Sequence, residues 1–164
     1  MLTIKVFLDT NVLIDVLAVA KRPATEYSSR IFQGIRNFKL EGVITVQSIV
    51  DAAYVFRHDP GTQRLFRDRI LQIKNFVNLE SLNDFDLQDA LLSGEPDFED
   101  ALQIYHAYNA RCDYFITSDR ELSSRPPFSG MQFCTPGEFV RKMKEMALEE
   151  RTKGTLAPER AREG

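Results

Sequence analysis

The sequence predicts a three-layer α/β/α fold, in which helices cover both faces of a mostly parallel central sheet of about five strands. Short β-rich runs alternate along the chain with longer segments whose apolar residues recur at helical spacing. This alternation is typical of parallel sheets, because the crossover helices between parallel strands lie on the two faces. The 164 residues, 43% of them hydrophobic and 27% charged, suit one globular domain.

The first part of the chain is predicted to contain two strands and two helices. Lys5–Leu8 is a short β-rich run that ends at the turn Asp9-Thr10-Asn11, and apolar residues at helical spacing then predict a helix over Val12–Leu17. A 3.6-residue apolar stripe predicts a second helix over Tyr27–Phe38. A glycine then introduces the predicted strand Val43–Val46.

The middle of the chain continues the alternation. A third helix is predicted from Ser48 to about His58, where Asp59-Pro60-Gly61 breaks it. Apolar spacing predicts another helix over Leu65–Ile73, followed by a strand over Phe76–Leu79 and a helix over Phe85–Leu92.

The last part of the chain supplies the remaining strands. The loop Gly94–Pro96 leads into a helix predicted over Asp97–Arg111, and Tyr114–Thr117 follows as the fourth strand. After a loop, Met131–Cys134 is the fifth, short strand. A proline in the first turn favours a final helix over Pro136–Glu150.

Composition narrows the class of protein. We expect one domain over residues 1–150 and a polar tail over residues 151–164, which has almost nothing to bury. Cys112 and Cys134 lie outside any C-x-x-C pattern and indicate a reducing, cytoplasmic compartment. No apolar run has the length of a signal peptide or of the ~20 residues that span a membrane, so no membrane partner is expected. A net charge of −3 argues against a generally basic nucleic-acid binder.

Four aspartates are predicted to converge at one edge of the sheet. Asp9 follows the first strand and Asp119 the fourth, while Asp51 and Asp100 are each expected in the first turn of a helix that starts at the same edge. In open parallel sheets, ligands bind outside the carboxyl ends of the strands. Four neighbouring carboxylates repel one another unless cations compensate, and oxygen ligands without His or Cys favour Mg²⁺ or Mn²⁺.

Helix capping is the alternative explanation for each aspartate taken singly. Aspartate is a good N-cap, and acids in the first turn interact favourably with the helix dipole. Ser48-Ile49-Val50-Asp51 and Asp97-Phe98-Glu99-Asp100 both have the spacing of a capping box. Capping does not explain why the acids share one edge, because helices start at both. The metal site needs neither histidine: His58 lies beside a helix break, and His106 is expected at the surface or the core edge.

Several segments together resemble a known family. Phe7–Asp15 is similar to the opening of PIN domains, the nuclease fold that includes VapC-type toxins. Asp97–Gln103 and Asp113–Asp119 resemble the second half of that family, and Thr135–Phe139 its closing strand-to-helix step. The resemblance covers roughly residues 4–143, and the first and third segments are fairly specific in combination.

The resemblance implies a metal-dependent endoribonuclease, which uses a metal-activated water to hydrolyse RNA phosphodiester bonds. Carried over residue by residue, it makes Asp9 the central metal ligand, with Asp100 and Asp119 completing the metal site. Asp51 fills a position where many members have Glu. Its side chain is shorter by one methylene, which puts the second metal position in question. Small polar groups fall where ligands or water need orienting, at Thr10, Asn11, Ser48 and Thr117.

Two rival functions are weighed against this one. Phosphatases of the haloacid-dehalogenase type need a second aspartate two residues after the nucleophile, whereas position 11 is Asn. The other alternative is a non-catalytic PIN-fold domain that binds RNA or a partner protein through a fold whose metal site has decayed. All four acid positions are filled, which favours the enzyme.

The expected partners are RNA, an antitoxin protein if the chain is the toxin of a toxin-antitoxin pair, and a second copy of the chain. Basic residues cluster in two segments, one with Arg57, Arg64, Arg67, Arg69 and Lys74 and one with Arg141, Lys142 and Lys144. Such runs are usually solvated faces, and the first is the candidate for phosphate contact. The aromatics considered for a homodimer surface are Phe32, Phe38 and Phe66.

Overall fold

A computed structural model describes residues 3–155 and confirms the predicted α/β architecture. The strands within this range are β1 (Ile4–Leu8), β2 (Leu40–Thr45), β3 (Asn78–Glu80), β4 (Tyr114–Ile116) and β5 (Gln132–Cys134). They form one sheet in the order β3-β2-β1-β4-β5, and all four pairings are parallel.

Helices connect successive strands and cover the sheet. Those of the described residues are α1 (Thr10–Leu17), α2 (Thr25–Arg36), α3 (Val46–Val55), α4 (Pro60–Ile73), α5 (Asp84–Leu92), α6 (Phe98–Asn109), α7 (Arg120–Ser123) and α8 (Pro136–Thr155). None of these helices is long and apolar enough to cross a membrane.

The order of the strands creates a crevice at one place. The chain builds outward from β1 through β2 to β3, then returns to the other side of β1 and continues through β4 to β5. Strands β1 and β4 are therefore neighbours whose following segments diverge, with Leu8 opposite Ile116 in the register. In open α/β sheets, this reversal of strand order is where ligands bind, outside the carboxyl ends of the strands.

The core lies on both faces of the central strand, so β1 is apolar throughout its buried part. Val6 and Leu8 belong to one apolar cluster, with residues of α1, α2, α3 and α8. Phe7 points to the opposite face and stacks on Phe115, with ring centroids 4.9 Å apart. Helix α2 packs so closely on β2 that a methyl group at Gly42 would overlap the side chain of Ile35.

Several boundaries differ from the sequence prediction. Helix α3 begins at Val46, directly after β2, because Thr45 is both the last strand residue and the N-cap. The short helix α7 was not predicted; its four residues are too few for a visible period. Helix α8 runs to Thr155, five residues into the predicted tail, and residues 156–164 of that tail lie outside the described range.

A buried polar cluster joins α5 to α6. The carboxylate of Asp86 accepts bonds from the Asn83 amide at 3.0 Å and the Asn109 side chain at 2.9 Å, and His106 Nδ1 lies 2.6 Å from it. Burial alone would raise the pKa of Asp86, but the bonds from Asn109, His106 and Asn83 lower it overall. His106 is only 3% exposed, so it is an interior residue and not the surface or core-edge residue predicted. Its partner lies on another helix, which the pattern along α6 does not reveal.

Candidate functional site

Asp9 lies at the carboxyl end of β1, in the crevice between β1 and β4. It is the N-cap of α1 and accepts a bond from the Thr10 amide at 2.7 Å. The same carboxylate accepts bonds from the Thr117 hydroxyl at 2.7 Å and the Asn11 side-chain amide at 3.1 Å. Its side chain is almost fully buried, at 7% exposure, so the carboxylate has one fixed orientation.

The Thr117 hydroxyl connects the ends of β1 and β4. While it donates to Asp9, its oxygen accepts the backbone amide of Asp119 at 3.0 Å and the Asn11 side chain at 3.3 Å. The side-chain oxygen of Asn11, Oδ1, in turn accepts a hydrogen bond from the backbone amide of Ser118 at 3.0 Å. Asn11 and Thr117 therefore hold Asp9 and the segment that carries Asp119 in fixed relative positions.

The other small polar residues singled out in the sequence form a chain beside this network. Thr10 donates its hydroxyl hydrogen to Ser48 Oγ at 3.1 Å, and Ser48 Oγ lies 3.0 Å from Thr45 Oγ1. Ser48 and Thr45 are buried. These hydrogen bonds connect the start of α1 to the start of α3. Thr10 and Ser48 therefore have a structural role, because they hold the two helices in position beside the crevice.

Asp119 and Asp100 both sit at helix starts that face the crevice. Asp119 is the N-cap of α7, and its Oδ1 accepts the amides of Glu121 at 2.8 Å and Leu122 at 3.0 Å. Asp100 lies in the first turn of α6, where its own amide donates to Asp97 at 3.0 Å. The predicted cap of α6 by Asp97 is thus present, and it leaves the carboxylate of Asp100 to face the other acids.

The three acids Asp9, Asp100 and Asp119 interact electrostatically. Burial raises the pKa of Asp9, and the charge of Asp119 adds to the increase. The pKa of Asp100 is raised to about 6, by burial and then by the charges of Asp97, Asp9 and Asp119. Carboxylates that resist ionisation because of their neighbours are typical of sites that receive a cation or a proton.

Asp51 stands apart from these three. It lies in the second turn of α3, because the helix begins two residues before Ser48. Thr45 accepts the Ser48 amide at 3.0 Å, so the predicted capping box of Ser48 and Asp51 is wrong. Asp51 instead accepts a bond from the Gln47 side chain at 2.8 Å. Helix capping is therefore excluded as the reason for an aspartate at this position.

Glu99 is an acid of this edge that the sequence prediction missed. Its pKa is raised by burial, then by the charges of Asp51, Asp97 and Asp9. Glu99 is therefore close enough to both Asp51 and Asp9 for their charges to act on it. Its position next to Asp100 in the sequence could have indicated that it belongs to the site. The segment has the spacing of a capping box, however, which explains its acids without a functional role.

A cation also belongs to this edge. Arg125, in the loop after α7, lowers the pKa of Asp100 through its charge, and its Nη1 lies 2.8 Å from Glu95 Oε1. Glu95 is in the loop before α6, so this ion pair joins the two segments that deliver Asp119 and Asp100. The sequence prediction found no cationic partner for the acids, because Arg125 lies outside their motifs.

The donor set fits a hard divalent cation, since the acids offer only carboxylate oxygens and their charges repel one another. Within residues 3–155, however, no three carboxylate, imidazole or thiolate side chains already stand close enough together to hold a metal ion. The ligand set of Asp9, Asp100, Asp119 and Asp51 therefore stays a prediction.

Comparison with known proteins agrees with the fold. Residues 5–121 match a family model described as PIN domain. The chain is similar in structure to VapC20 of Mycobacterium tuberculosis, described as a sarcin-ricin loop cleaving toxin, with a TM-score of 0.56 and 11% identity, covering 71% of this chain and 91% of that one. It is also similar to a chain of a toxin-antitoxin complex from Klebsiella pneumoniae, with a TM-score of 0.56 and 14% identity. This match covers 80% of this chain and 97% of the other chain. A search of curated proteins finds no match.

Proposed function

Because the chain belongs to the PIN-domain family, we propose that it is a metal-dependent endoribonuclease that hydrolyses RNA phosphodiester bonds. The observation that carries the proposal is the mutual electrostatic interaction of Asp9, Asp100 and Asp119 in the crevice between β1 and β4. These acids come from three separate segments of the chain, and the reversal of strand order beside β1 and β4, where open α/β sheets commonly bind ligands, supports the proposal.

The proposed cofactor is Mg²⁺ or Mn²⁺, held by Asp9, Asp100 and Asp119, with Asp51 as the proposed fourth ligand. When bound, such an ion would activate water and stabilise charge on the oxygens of the phosphodiester. Thr117 and Asn11 would keep the carboxylate of Asp9 in the orientation that the structure gives it. The guanidinium of Arg125, which acts electrostatically on Asp100, would attract the phosphate to the same edge.

The test is RNA cleavage with and without divalent ions. EDTA should abolish cleavage and Mn²⁺ or Mg²⁺ should restore it, and Asp9→Asn should remove activity. Asp113→Asn is a matched control, because Asp113 lies at the opposite end of β4, where it accepts the Lys5 amide at 2.8 Å. Full activity in chelator, or equal loss of activity in both variants, would overturn the proposal.

A non-catalytic domain is the second candidate, favoured by the absence of a preformed metal cluster among residues 3–155. Calorimetric titration with Mn²⁺ separates the two functions. A nuclease site should bind Mn²⁺ in the wild-type protein and lose that binding in Asp9→Asn. A domain with a decayed site should show no binding in either protein.

An antitoxin partner is proposed because the second structural relative is a chain of a toxin-antitoxin complex. A cytoplasmic location is proposed because Cys112 and Cys134 are free thiols, which are typical of a reducing compartment. A homodimer is also proposed, but the structure reduces its predicted surface. Phe32 is buried and Phe66 packs against the core, whereas Phe38 is 86% exposed. Sedimentation at micromolar concentration tests the dimer, and co-purification with the product of a neighbouring reading frame tests the antitoxin.

A further inference from the structure

We propose that the groove between α3 and α4 binds the phosphate backbone of the single-stranded RNA substrate, an inference that rests on the proposed function for the identity of its ligand. The groove has a volume of about 700 Å³ and is open to solvent. Its basic side chains are Arg57, two residues after the end of α3, and Arg64 and Arg67 on α4.

The groove carries more positive than negative charge. Its three arginines face a single acid, Asp68, in a chain whose net charge is −3. Across the described part of the chain, none of these three arginines belongs to an ion pair, although seven such contacts occur elsewhere. A guanidinium binds phosphate through paired N–H groups, so exposed and unneutralised arginines are suited to a polyanion.

The other predicted basic cluster lacks this property. Arg141 and Lys142, on α8, share their surface cavity with Glu138 and Glu145. Lys142 donates to Gln132 at 3.3 Å and lies over the ring of Tyr114. In the first cluster, the guanidinium of Arg69 already binds other groups of the protein. Its Nη1 donates to the Leu17 carbonyl at 2.6 Å and to the Ala18 carbonyl at 3.1 Å. Of the basic residues in the two predicted clusters, Arg57, Arg64 and Arg67 are therefore the three that share one groove and have no ion pair in the described part of the chain.

The groove is a fixed feature of the fold. Phe56 on α3 and Phe66 on α4 lie in its lining, with ring centroids 6.3 Å apart, and both pack against the core. Arg57 is held in place as well: its guanidinium carbon lies 3.6 Å from the ring centroid of Tyr54, and Nη1 donates to the Tyr54 carbonyl at 2.7 Å. Charges held on rigid helices lose less entropy when they bind.

The groove continues the helix that carries Asp51. Asp51 lies in the second turn of α3, and Arg57 follows the last residue of this helix, Val55, by two residues. Between them, Tyr54 is 64% exposed one turn after Asp51. Arg57 covers one face of its ring, so a base of a single strand would stack on the opposite face. An RNA strand whose reacting phosphate lies at the acids would therefore pass over Tyr54 into the groove.

Electrostatics requires a surface of this kind. The acids Asp9, Asp100 and Asp119 repel a polyanion, so they cannot supply affinity for RNA on their own. Affinity must come from cations outside the acidic crevice but within reach of the same strand. The α3–α4 groove lies outside the acidic crevice and carries such cations, so we assign it to the RNA strand and not to an acidic protein segment.

The experiment measures binding of a fluorescein-labelled single-stranded RNA by anisotropy, in EDTA, so that no cleavage occurs. The double variant Arg64→Gln/Arg67→Gln is compared with Arg141→Gln/Lys144→Gln, which removes the same charge from α8. All four side chains are exposed, and circular dichroism checks that each protein is folded. The groove variant should raise Kd by about tenfold or more and lower the salt slope of log Kd by about 1.4, since a single strand gives about 0.7 per phosphate contact. The control should change Kd by less than about twofold.

Equal weakening by the two double variants, or no weakening by the groove variant, would overturn the groove proposal. So would a polyglutamate peptide that displaces the RNA more effectively than unlabelled RNA does, because it would assign the groove to an acidic protein partner. Failure of the proposed function gives a different result: RNA binding in EDTA that depends on Arg64 and Arg67, together with no cleavage when Mn²⁺ is added.

Discussion

The hydroxyl of Thr117 is the smallest group on which the geometry of the crevice depends. It donates to the Asp9 carboxylate while accepting the Asp119 amide, so one oxygen fixes two acids from different strands. The residue is fully buried, and no water can replace the bond if the hydroxyl is removed.

Thr117→Val is expected to reduce cleavage by about 10–100-fold, as for other groups that orient metal ligands. It should also lower the free energy of unfolding by about 1–3 kcal/mol, because a buried carboxylate loses a donor. Thr117→Ser keeps the hydroxyl and should restore most of the activity. Steady-state cleavage and chemical denaturation measure both effects, and a Val variant with full turnover would remove Thr117 from the site.

Asp100 gives a prediction about pH. Its pKa is raised from 3.8 to about 6, so the native carboxyl holds its proton more tightly than the unfolded chain does. The contribution of Asp100 to the free energy of unfolding of the metal-free protein should therefore fall as pH rises from about 4 through 6, and the loss is complete at about pH 7. Asp100→Asn avoids this loss. Because solvent screens a partly exposed group, we expect a gain of about 1 kcal/mol at pH 7, or roughly 2–4 °C in Tm.

Thermal melts in EDTA at pH 4 and pH 7 test this. The Asn variant should melt above the wild-type protein at pH 7 and level with it at pH 4. A variant that is less stable than the wild-type protein at pH 7 would mean that the carboxylate of Asp100 mainly stabilises the start of α6.

The functional role of Asp51 can be tested separately from a role in stability, because Asp51 does not cap α3. Its hydrogen bond to Gln47 is exposed, so Asp51→Asn should change the free energy of unfolding by less than about 0.5 kcal/mol. If Asp51 contributes to the metal site through Glu99, cleavage should fall about tenfold or more, and Asp51→Glu should be tolerated. Turnover and Tm are measured for both variants. Unchanged cleavage by Asp51→Asn would exclude Asp51 from the site.

At the scale of elements, the packing of α5 against α6 decides where Asp100 lies. The two helices share the buried cluster of Asp86, His106 and Asn109, and the capping box of Asn83 and Asp86 starts α5. Two turns of α6 separate the cluster from Asp100. A change in this cluster therefore acts on the crevice only through the position of α6.

Asp86→Ala is expected to lower the free energy of unfolding by about 3 kcal/mol, because it removes a buried partner of His106 and breaks the capping box. For a chain of this length, the loss corresponds to roughly 6–12 °C in Tm. Asp89→Ala is the matched control: Asp89 accepts a bond from the same Asn109, at 3.2 Å, but on the exposed side of α5. It should cost less than about 0.5 kcal/mol. Calorimetry measures both variants, and equal effects would contradict a special role for the buried cluster.

At the scale of the whole molecule, the α/β class and the places of Asp9 and Asp119 could be predicted from the sequence. Asp9 follows β1 directly and Asp119 follows β4 after two residues, and the end of a parallel strand is a well-defined position in space. Asp51 was misplaced because β2 passes into α3 without a loop, so the true cap, Thr45, looked like a strand residue. Glu99 and Arg125 join the edge through contacts between distant segments, which no local pattern encodes.

The pairing of β1 with β4 has a consequence for the folding of the chain during its synthesis on the ribosome. Asp9 is made early, but its partner Thr117 follows 108 residues later. Until β4 has been synthesised and has docked beside β1, the first acid has neither the hydroxyl that orients it nor Asp119 beside it. Contacts of such long sequence separation form late in folding. A nascent chain would therefore pass through most of its own translation, next to ribosomal RNA, before any complete site existed.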